Sequence, residues 1–78
     1  MLMRIDELDT TPMGAERIKR NLRLDGEPVQ WCKAAMLSPE AVIERKGKNY
    51  YITSKGAVIT VNAHSFTIIT AHRIKENL

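Results

Sequence analysis

The fold is decided by one stretch of the sequence, Ala57-Val-Ile-Thr-Val-Asn-Ala-His64-Ser-Phe-Thr-Ile-Ile-Thr-Ala-His72-Arg73, in which two runs rich in β-branched residues flank a short polar break. Valine, isoleucine and threonine fit the pleated, half-buried surface of a sheet. The stretch therefore predicts two strands, from Ala57 to Asn62 and from Ser65 to Arg73. The break between them contains His64, one of the 2 histidines of the chain.

Two further strands are predicted upstream, from Ala41 to Lys46 and from Asn49 to Thr53. Gly47-Lys48 and Lys55-Gly56 each fit a two-residue hairpin loop, and Ala63-His64 can serve as a third if it tolerates left-handed backbone geometry. Because every loop is short, the sequence predicts a four-stranded antiparallel meander.

Counting through these loops assigns each strand residue to one face of the sheet. One face receives a nearly all-apolar set: Ile43, Tyr50, Ile52, Ile59, Val61, Phe66 and Ile68. The other, called the open face below, receives a mixed and largely polar set: Val42, Glu44, Lys46, Tyr51, Thr53, Val58, Thr60, Thr67 and Ile69. A one-residue slip in any hairpin would send its apolar residues to the wrong side, so this segregation supports the predicted register.

Two helices are predicted before the sheet. Thr11 and Pro12 are typical of an N-cap followed by the first helical position, and the helix continues to Leu22. A second helix opens at Pro28 and covers residues 29–36, before Ser38-Pro39 ends it. Packing both helices on the apolar face gives a two-layer α+β domain. This single domain spans residues 1–78, with an N-terminal arm over 1–10, a helical part over 11–37 and a sheet over 40–74.

Composition and charge exclude several classes of protein. Cys32 is the 1 cysteine among 78 residues, so an intrachain disulfide is excluded and a reducing compartment, the cytoplasm, is favoured. Charged residues interrupt the first residues before an apolar run develops, which predicts neither a signal peptide nor a membrane span. The net charge of +3 gives a weak bias toward anionic partners. We predict no metal site and no cofactor, because the sequence contains neither a nucleotide loop nor a metal-ligand cluster.

Candidate functional residues fall at both ends of the predicted sheet. At one end, His64 joins Arg45, Lys46, Lys48 and Asn62, a set that could hold a phosphate and move a proton. A solvated turn is the alternative interpretation. At the other end, His72 joins Lys55, Thr70 and Arg73. The two histidines would lie about 26 Å apart on a continuous strand, too far to share a metal ion.

The open face offers a second candidate surface. Glu44, Lys46, Tyr51, Thr60 and Thr67 form a patch of polar groups around one aromatic ring, on which a base could stack. The alternative is a solvent-facing surface that carries strand-favouring threonine and tyrosine residues.

Four segments carry a resemblance to known proteins: residues 11–22, TPMGAERIKRNL; Trp31-Cys-Lys33; residues 43–50, IERKGKNY; and residues 59–72, ITVNAHSFTIITAH. Together they resemble a family of short bacterial and phage proteins catalogued only as a domain of unknown function. The order of two helices and four antiparallel strands also looks like the barnase, colicin and RelE-type ribonuclease superfamily. That likeness implies RNA cleavage by basic and acid–base residues on the open face, where Glu44, Lys46, Tyr51 and Thr67 are predicted.

Hypotheses from different classes follow. The first is an RNA-directed protein, either a metal-independent ribonuclease of the toxin type, with Glu44, Lys46 and His64 as the catalytic set, or a non-catalytic RNA binder. RNA contacts are then expected at Arg45, Lys48, Tyr51, Thr60, Thr67, His72 and Arg73. The second is a small protein-interaction or regulatory module of a phage or mobile element, which docks on a protein partner or inhibitor through its sheet edge or helix surface. A structural homodimer is the third.

Overall fold

Two α-helices and four strands follow one another in the computed structural model, which describes residues 1–74. A 3-10 helix, Leu2–Glu7, comes first, within the predicted arm. The other elements are α1 (Pro12–Leu22), α2 (Pro28–Leu37), β1 (Val42–Lys46), β2 (Asn49–Ser54), β3 (Ala57–Asn62) and β4 (Ile68–Arg73). Residues 75–78, the last four of the predicted domain, lie outside the described residues.

Both α-helices begin where the sequence predicts, and each has a proline in its first turn and a side-chain cap. The Thr11 hydroxyl accepts a hydrogen bond from the Gly14 N–H at 3.0 Å. The Glu27 carboxylate accepts from the N–H groups of Val29 at 3.1 Å and Gln30 at 2.6 Å. These caps satisfy backbone donors that the first helical turn leaves without an internal partner.

The described strands form one antiparallel sheet in the order β1-β2-β3-β4, which confirms the predicted meander. In the first hairpin, Gly47 has a φ of 58°, as the first central position of a type II′ turn requires. In the second, Lys55 and Gly56 have φ values of 50° and 72°, the pattern of a type I′ turn. Both turns have the twist of the flanking strands, so they fix the predicted register, in which Ile52 lies opposite Ile43 on one side and Ile59 on the other.

The third connection differs from the prediction. Ala63-His64 is not a two-residue loop, and β4 begins at Ile68 rather than Ser65. A two-residue turn would need left-handed backbone at alanine and histidine, which is costly for residues with a Cβ. The chain instead makes a longer turn, in which the Phe66 N–H donates to the Asn62 carbonyl at 2.9 Å.

A β-bulge follows this longer turn. Thr60 lies opposite Thr70, but Val61 lies opposite Ile68, so β4 contains one more residue than β3 over this step. Ile69 is the additional residue and is 45% exposed. Thr67 lies outside β4 and forms a parallel bridge with Asp9. The predicted places of Thr67 and Ile69 within a regular strand were therefore wrong.

The core lies between the helices and the apolar face of the sheet. The helices contribute Ile18, Leu22, Cys32, Ala35 and Met36, and the sheet side contributes Ile52, Ala57, Ile59, Val61, Phe66, Ile68 and Ala71. Ile43 and Tyr50 pack at the margin of this cluster. The predicted α+β class, with both helices on one face of the meander, is confirmed.

Candidate nucleic-acid interface

The centre of the open face is one row of side chains that crosses the sheet. Glu44 lies opposite Tyr51, Tyr51 opposite Thr60, and Thr60 opposite Thr70. Glu44 is exposed and Tyr51 is half-buried, whereas Thr60 is only 7% exposed. The tyrosine ring is therefore the main apolar group that this row offers to a ligand.

Lys46 lies on the same face as Glu44, next to the first hairpin turn. Its Nζ is 3.9 Å from the Glu44 carboxylate, and the two side chains are 72% and 61% exposed. An ion pair this exposed contributes little free energy because water and salt screen it. The ammonium group of Lys46 can therefore exchange this contact for a phosphate at small cost.

Two turns meet at this end of the sheet. The Ala63 N–H donates to the Lys48 carbonyl at 2.8 Å, which holds the loop after β3 against the hairpin turn between β1 and β2. Lys46, Lys48 and His64, all exposed, are thereby brought to one end of the sheet. We call these three residues the basic corner.

The loop that carries His64 is held by the side chain of Asn62. Its Oδ1 accepts from the His64 N–H at 2.9 Å, the Ser65 N–H at 2.9 Å and the Ser65 hydroxyl at 3.2 Å. Asparagine commonly stabilises turns by accepting from backbone N–H groups just ahead of it. The Asn62 amide oxygen therefore helps to hold His64 in position.

Arg4 supports the loop from the other side. Its guanidinium donates to the carbonyls of Ala63 at 2.7 Å and His64 at 2.9 Å, and lies 4.9 Å from the centre of the Phe66 ring. Hydrogen bonds of 3.1 and 3.2 Å to Glu7 hold the guanidinium in place and raise the pKa of Arg4. Sequence reasoning missed Arg4, because nothing in its neighbourhood indicates contacts with residues about 60 positions away.

Replacing Asn62 with alanine is expected to lower the free energy of unfolding by about 1–2 kcal/mol, because three donors lose their acceptor. The exposed donors can turn to water, so the cost stays well below that of a core substitution. Asn62→Asp keeps an oxygen at the same place and serves as the matched control. Urea denaturation of the three proteins checks this, and equal losses for alanine and aspartate would contradict the role of the side-chain oxygen.

The two arginines predicted to bind RNA both make contacts within the protein. Arg45 points to the other face, where it lies 5.4 Å from the centre of the Tyr50 ring and donates to the Gly47 carbonyl at 3.1 Å. Arg73 donates to the Leu22 carbonyl at 2.8 Å and lies 6.0 Å from the centre of the Trp31 ring.

The other predicted residues are spread along the sheet, with Tyr51 and Thr60 in its central row. His72 is opposite Val58 on the open face, at the end away from the basic corner. Of the predicted catalytic set, Glu44 and Lys46 are close together. Glu44 on β1 and the chain that leads from β3 to His64 are separated by the width of two strand spacings, about 10 Å.

Residues 1–74 contain no group of three or more His, Cys, Asp or Glu side chains that could hold a metal ion. Within the same residues, no helix has the length and apolar composition needed to cross a membrane.

Comparison with known proteins identifies a family. Residues 2–72, from the first 3-10 helix to the last strand, match the family described as Protein of unknown function (DUF3781). The chain belongs to this family. No curated protein and no solved structure matches it. The predicted membership of a family of unknown function is confirmed. The comparisons do not support the predicted likeness to ribonucleases or the predicted bacterial or phage origin.

Proposed function

We propose that the protein binds single-stranded RNA, with backbone phosphates at the basic corner and a base against Tyr51 on the open face. The observation that carries this proposal is the hydrogen bond between Ala63 and the Lys48 carbonyl, 2.8 Å long. It joins two turns so that Lys46, Lys48 and His64 occupy one end of the sheet. Exposed cations next to an accessible aromatic ring are the usual elements of a single-strand binding surface.

Charge supports an anionic ligand at this place. Lys46 and Lys48 are both exposed. Within residues 1–74, one acidic side chain, that of Glu44, lies within 4 Å of either ammonium group. The chain as a whole carries a net charge of +3. Phosphate binding by lysine releases counterions, so affinity for RNA should fall steeply as salt is added.

The surface favours binding over cleavage. Metal-independent cleavage needs a base and an acid on the same phosphodiester, within hydrogen-bonding reach of its oxygens. Glu44 contacts Lys46, whereas His64 lies beyond the end of β3, and β1 and β3 are themselves separated by two strand spacings, about 10 Å. The element order shared with the barnase, colicin and RelE-type ribonucleases is consistent with a relative that has kept RNA binding. A cytoplasmic location is part of this proposal.

The test is fluorescence anisotropy with a short single-stranded RNA in EDTA, over a range of salt concentrations. For the Lys46→Ala/Lys48→Ala double variant, we expect weaker binding and a salt slope smaller by about 1.4, since each phosphate contact on a single strand contributes about 0.7. Lys55→Ala is the control, because Lys55 is an exposed lysine in the hairpin at the opposite end of the sheet, and its loss should lower the salt slope by no more than about half as much.

Three results decide between the alternatives. Absence of salt-sensitive RNA binding by the wild-type protein would refute the proposal. Equal losses in Lys55→Ala and in the double variant would refute the site. Cleavage of the RNA in EDTA that is lost in Glu44→Gln or His64→Ala would show that the surface is catalytic.

A protein-interaction module is the second candidate. It is favoured by two exposed methionines before and at the start of α1, Met3 at 97% and Met13 at 74% exposure. Methionine is common on surfaces that adapt to protein partners. A pull-down that recovers one stoichiometric protein and no nucleic acid would favour this function, and the Met3→Ser/Met13→Ser variant should then lose the partner.

A further inference from the structure

Two asparagine side chains lie between Tyr51 and the basic corner on the open face. Asn49 is opposite Lys46 on one side and opposite Asn62 on the other. Tyr51 follows Asn49 by two positions on the same face, about 7 Å along the strand. Both asparagines are half-buried. A base stacked on Tyr51, with a phosphate at Lys46, would therefore have the two amide groups at its edge.

The amide of Asn62 is oriented by the loop after β3. Its Oδ1 accepts from the N–H groups of His64 and Ser65, both at 2.9 Å, and from the Ser65 hydroxyl at 3.2 Å. Backbone N–H groups can only donate, so the oxygen faces the loop and Nδ2 faces away from it. Within residues 1–74, this nitrogen has no hydrogen-bond partner. A ligand next to Asn62 therefore meets N–H donors and not the acceptor.

The amide of Asn49 can face a ligand in either of two ways. No hydrogen bond to another of the described residues fixes this side chain, so rotation about its last bond can exchange the oxygen and the nitrogen. It can present a donor and an acceptor in either order. The two asparagines together offer one fixed donor beside a donor–acceptor pair that can turn over.

This arrangement matches the Watson–Crick edge of pyrimidines. Uracil and cytosine both carry the acceptor O2, to which Asn62 can donate. The rest of the edge is N3–H with O4 in uracil and N3 with an amino group in cytosine. Each of these is one donor and one acceptor, so Asn49 can pair with either by turning over. Single-stranded RNA leaves these edges free for recognition by side chains.

Purines match the arrangement less well. In place of O2, adenine has a C–H group, which leaves the Asn62 donor without an acceptor. Guanine has an amino group there, so two donors would face each other. A buried or half-buried donor that loses its partner on binding lowers affinity. The fixed donor of Asn62 therefore distinguishes the two classes of base.

We propose that Asn62 and Asn49 select a pyrimidine at Tyr51, with Asn62 donating to O2 and Asn49 pairing with the rest of the edge. This inference rests on the proposed function, since a base can be read only in a strand that the surface binds. It adds the substrate class, single-stranded RNA that contains uracil or cytosine. The hydrogen bonds that hold the His64 loop also set the orientation of the selective amide.

Fluorescence anisotropy with oligo(U), oligo(C) and oligo(A) strands of equal length tests the selection. The wild-type protein should bind oligo(U) and oligo(C) about tenfold more tightly than oligo(A). Asn62→Asp keeps an oxygen for the loop and removes the donor. Its added charge weakens binding of every strand, so the measured quantity is the ratio of the oligo(U) and oligo(A) affinities, which should fall to about one or below.

Two further variants complete the experiment. Asn49→Ala should weaken binding of oligo(U) and oligo(C) about fivefold and leave oligo(A) nearly unchanged. Thr53→Ala is the control, because Thr53 is an exposed residue on the other side of Tyr51 in the same strand and on the same face. It should keep the tenfold ratio. Circular dichroism checks the folding of each variant, and Asn49→Ala decides the inference if Asn62→Asp does not fold.

The outcomes separate this inference from the proposed function. Salt-sensitive binding with equal affinity for the three strands, or tighter binding of oligo(A), would overturn the inference and leave the proposed function intact. A pyrimidine preference that survives in both Asn62→Asp and Asn49→Ala would also overturn it. Absence of binding to any strand would refute the proposed function and the inference together.

Discussion

Replacing Phe66 with alanine is expected to lower the free energy of unfolding by about 3–5 kcal/mol, the usual range for a buried phenylalanine. The Phe66 side chain is fully buried and lies in edge contact with Tyr50, with the ring centres 6.5 Å apart. The Arg4 guanidinium covers it at 4.9 Å. A domain of 78 residues has a stability of about 4–12 kcal/mol, so this one substitution should remove a quarter or more of the free energy of unfolding.

Chemical denaturation of Phe66→Ala and Phe66→Leu separates packing from backbone strain. Phe66 has a φ of 56°, and alanine and leucine both share the strain of that conformation. Leucine keeps most of the apolar volume, so Phe66→Leu should lose less than half of the free energy of unfolding that Phe66→Ala loses. If leucine and alanine cost the same, burial of the ring is not the source of the effect.

Stability is also expected to fall above pH 9, by up to about 1.4 kcal/mol for each pH unit from Cys32 alone. Burial, with a smaller contribution from the charge of Glu27, raises the pKa of Cys32 from 9.0 to about 12. Between these values the unfolded chain loses the thiol proton while the folded chain keeps it. The folded state is therefore favoured below pH 9, and this contribution is lost as pH rises toward 12.

The effect is measured as the difference between wild type and Cys32→Ala in the slope of unfolding free energy against pH, from 7 to 11. Alanine leaves a small cavity that lowers stability at every pH, so the slope and not the absolute value carries the information. All other residues are the same in the two proteins, so their contributions cancel in the comparison. Parallel curves would contradict the assignment to Cys32. The same burial predicts that iodoacetamide alkylates the Cys32 thiol slowly in the folded protein.

The first two hairpins could be predicted because local chemistry determines them. Gly47 and Gly56 supply the positive φ values that two-residue turns need, and period-two alternation then assigns every side chain of β1, β2 and β3 to a face. The third turn depends on Asn62, on the left-handed conformation of Phe66 and on Arg4. No local sequence pattern indicates the left-handed conformation of Phe66 or the long-range contacts of Arg4.

The candidate site was predictable to a similar extent. Alternation places Glu44, Lys46 and Tyr51 on one face, as predicted, and the same alternation places Arg45 on the other, although its neighbours in sequence suggested a shared cluster. The contacts of Arg73 with Leu22 and Trp31 depend on helix packing, which the strand pattern does not contain.

The packing of α1 along β4 has a consequence for polymerisation. Amyloid fibres grow when each added molecule exposes an unpaired strand edge to which the next molecule can bond. At β4, Asn21 bonds to the Ala71 carbonyl, and Thr10 and Asp9 bond to the carbonyl and the N–H of Ile68. A strand added at this edge would have to displace these contacts, so the helix that completes the core also protects one edge of the sheet against fibre formation.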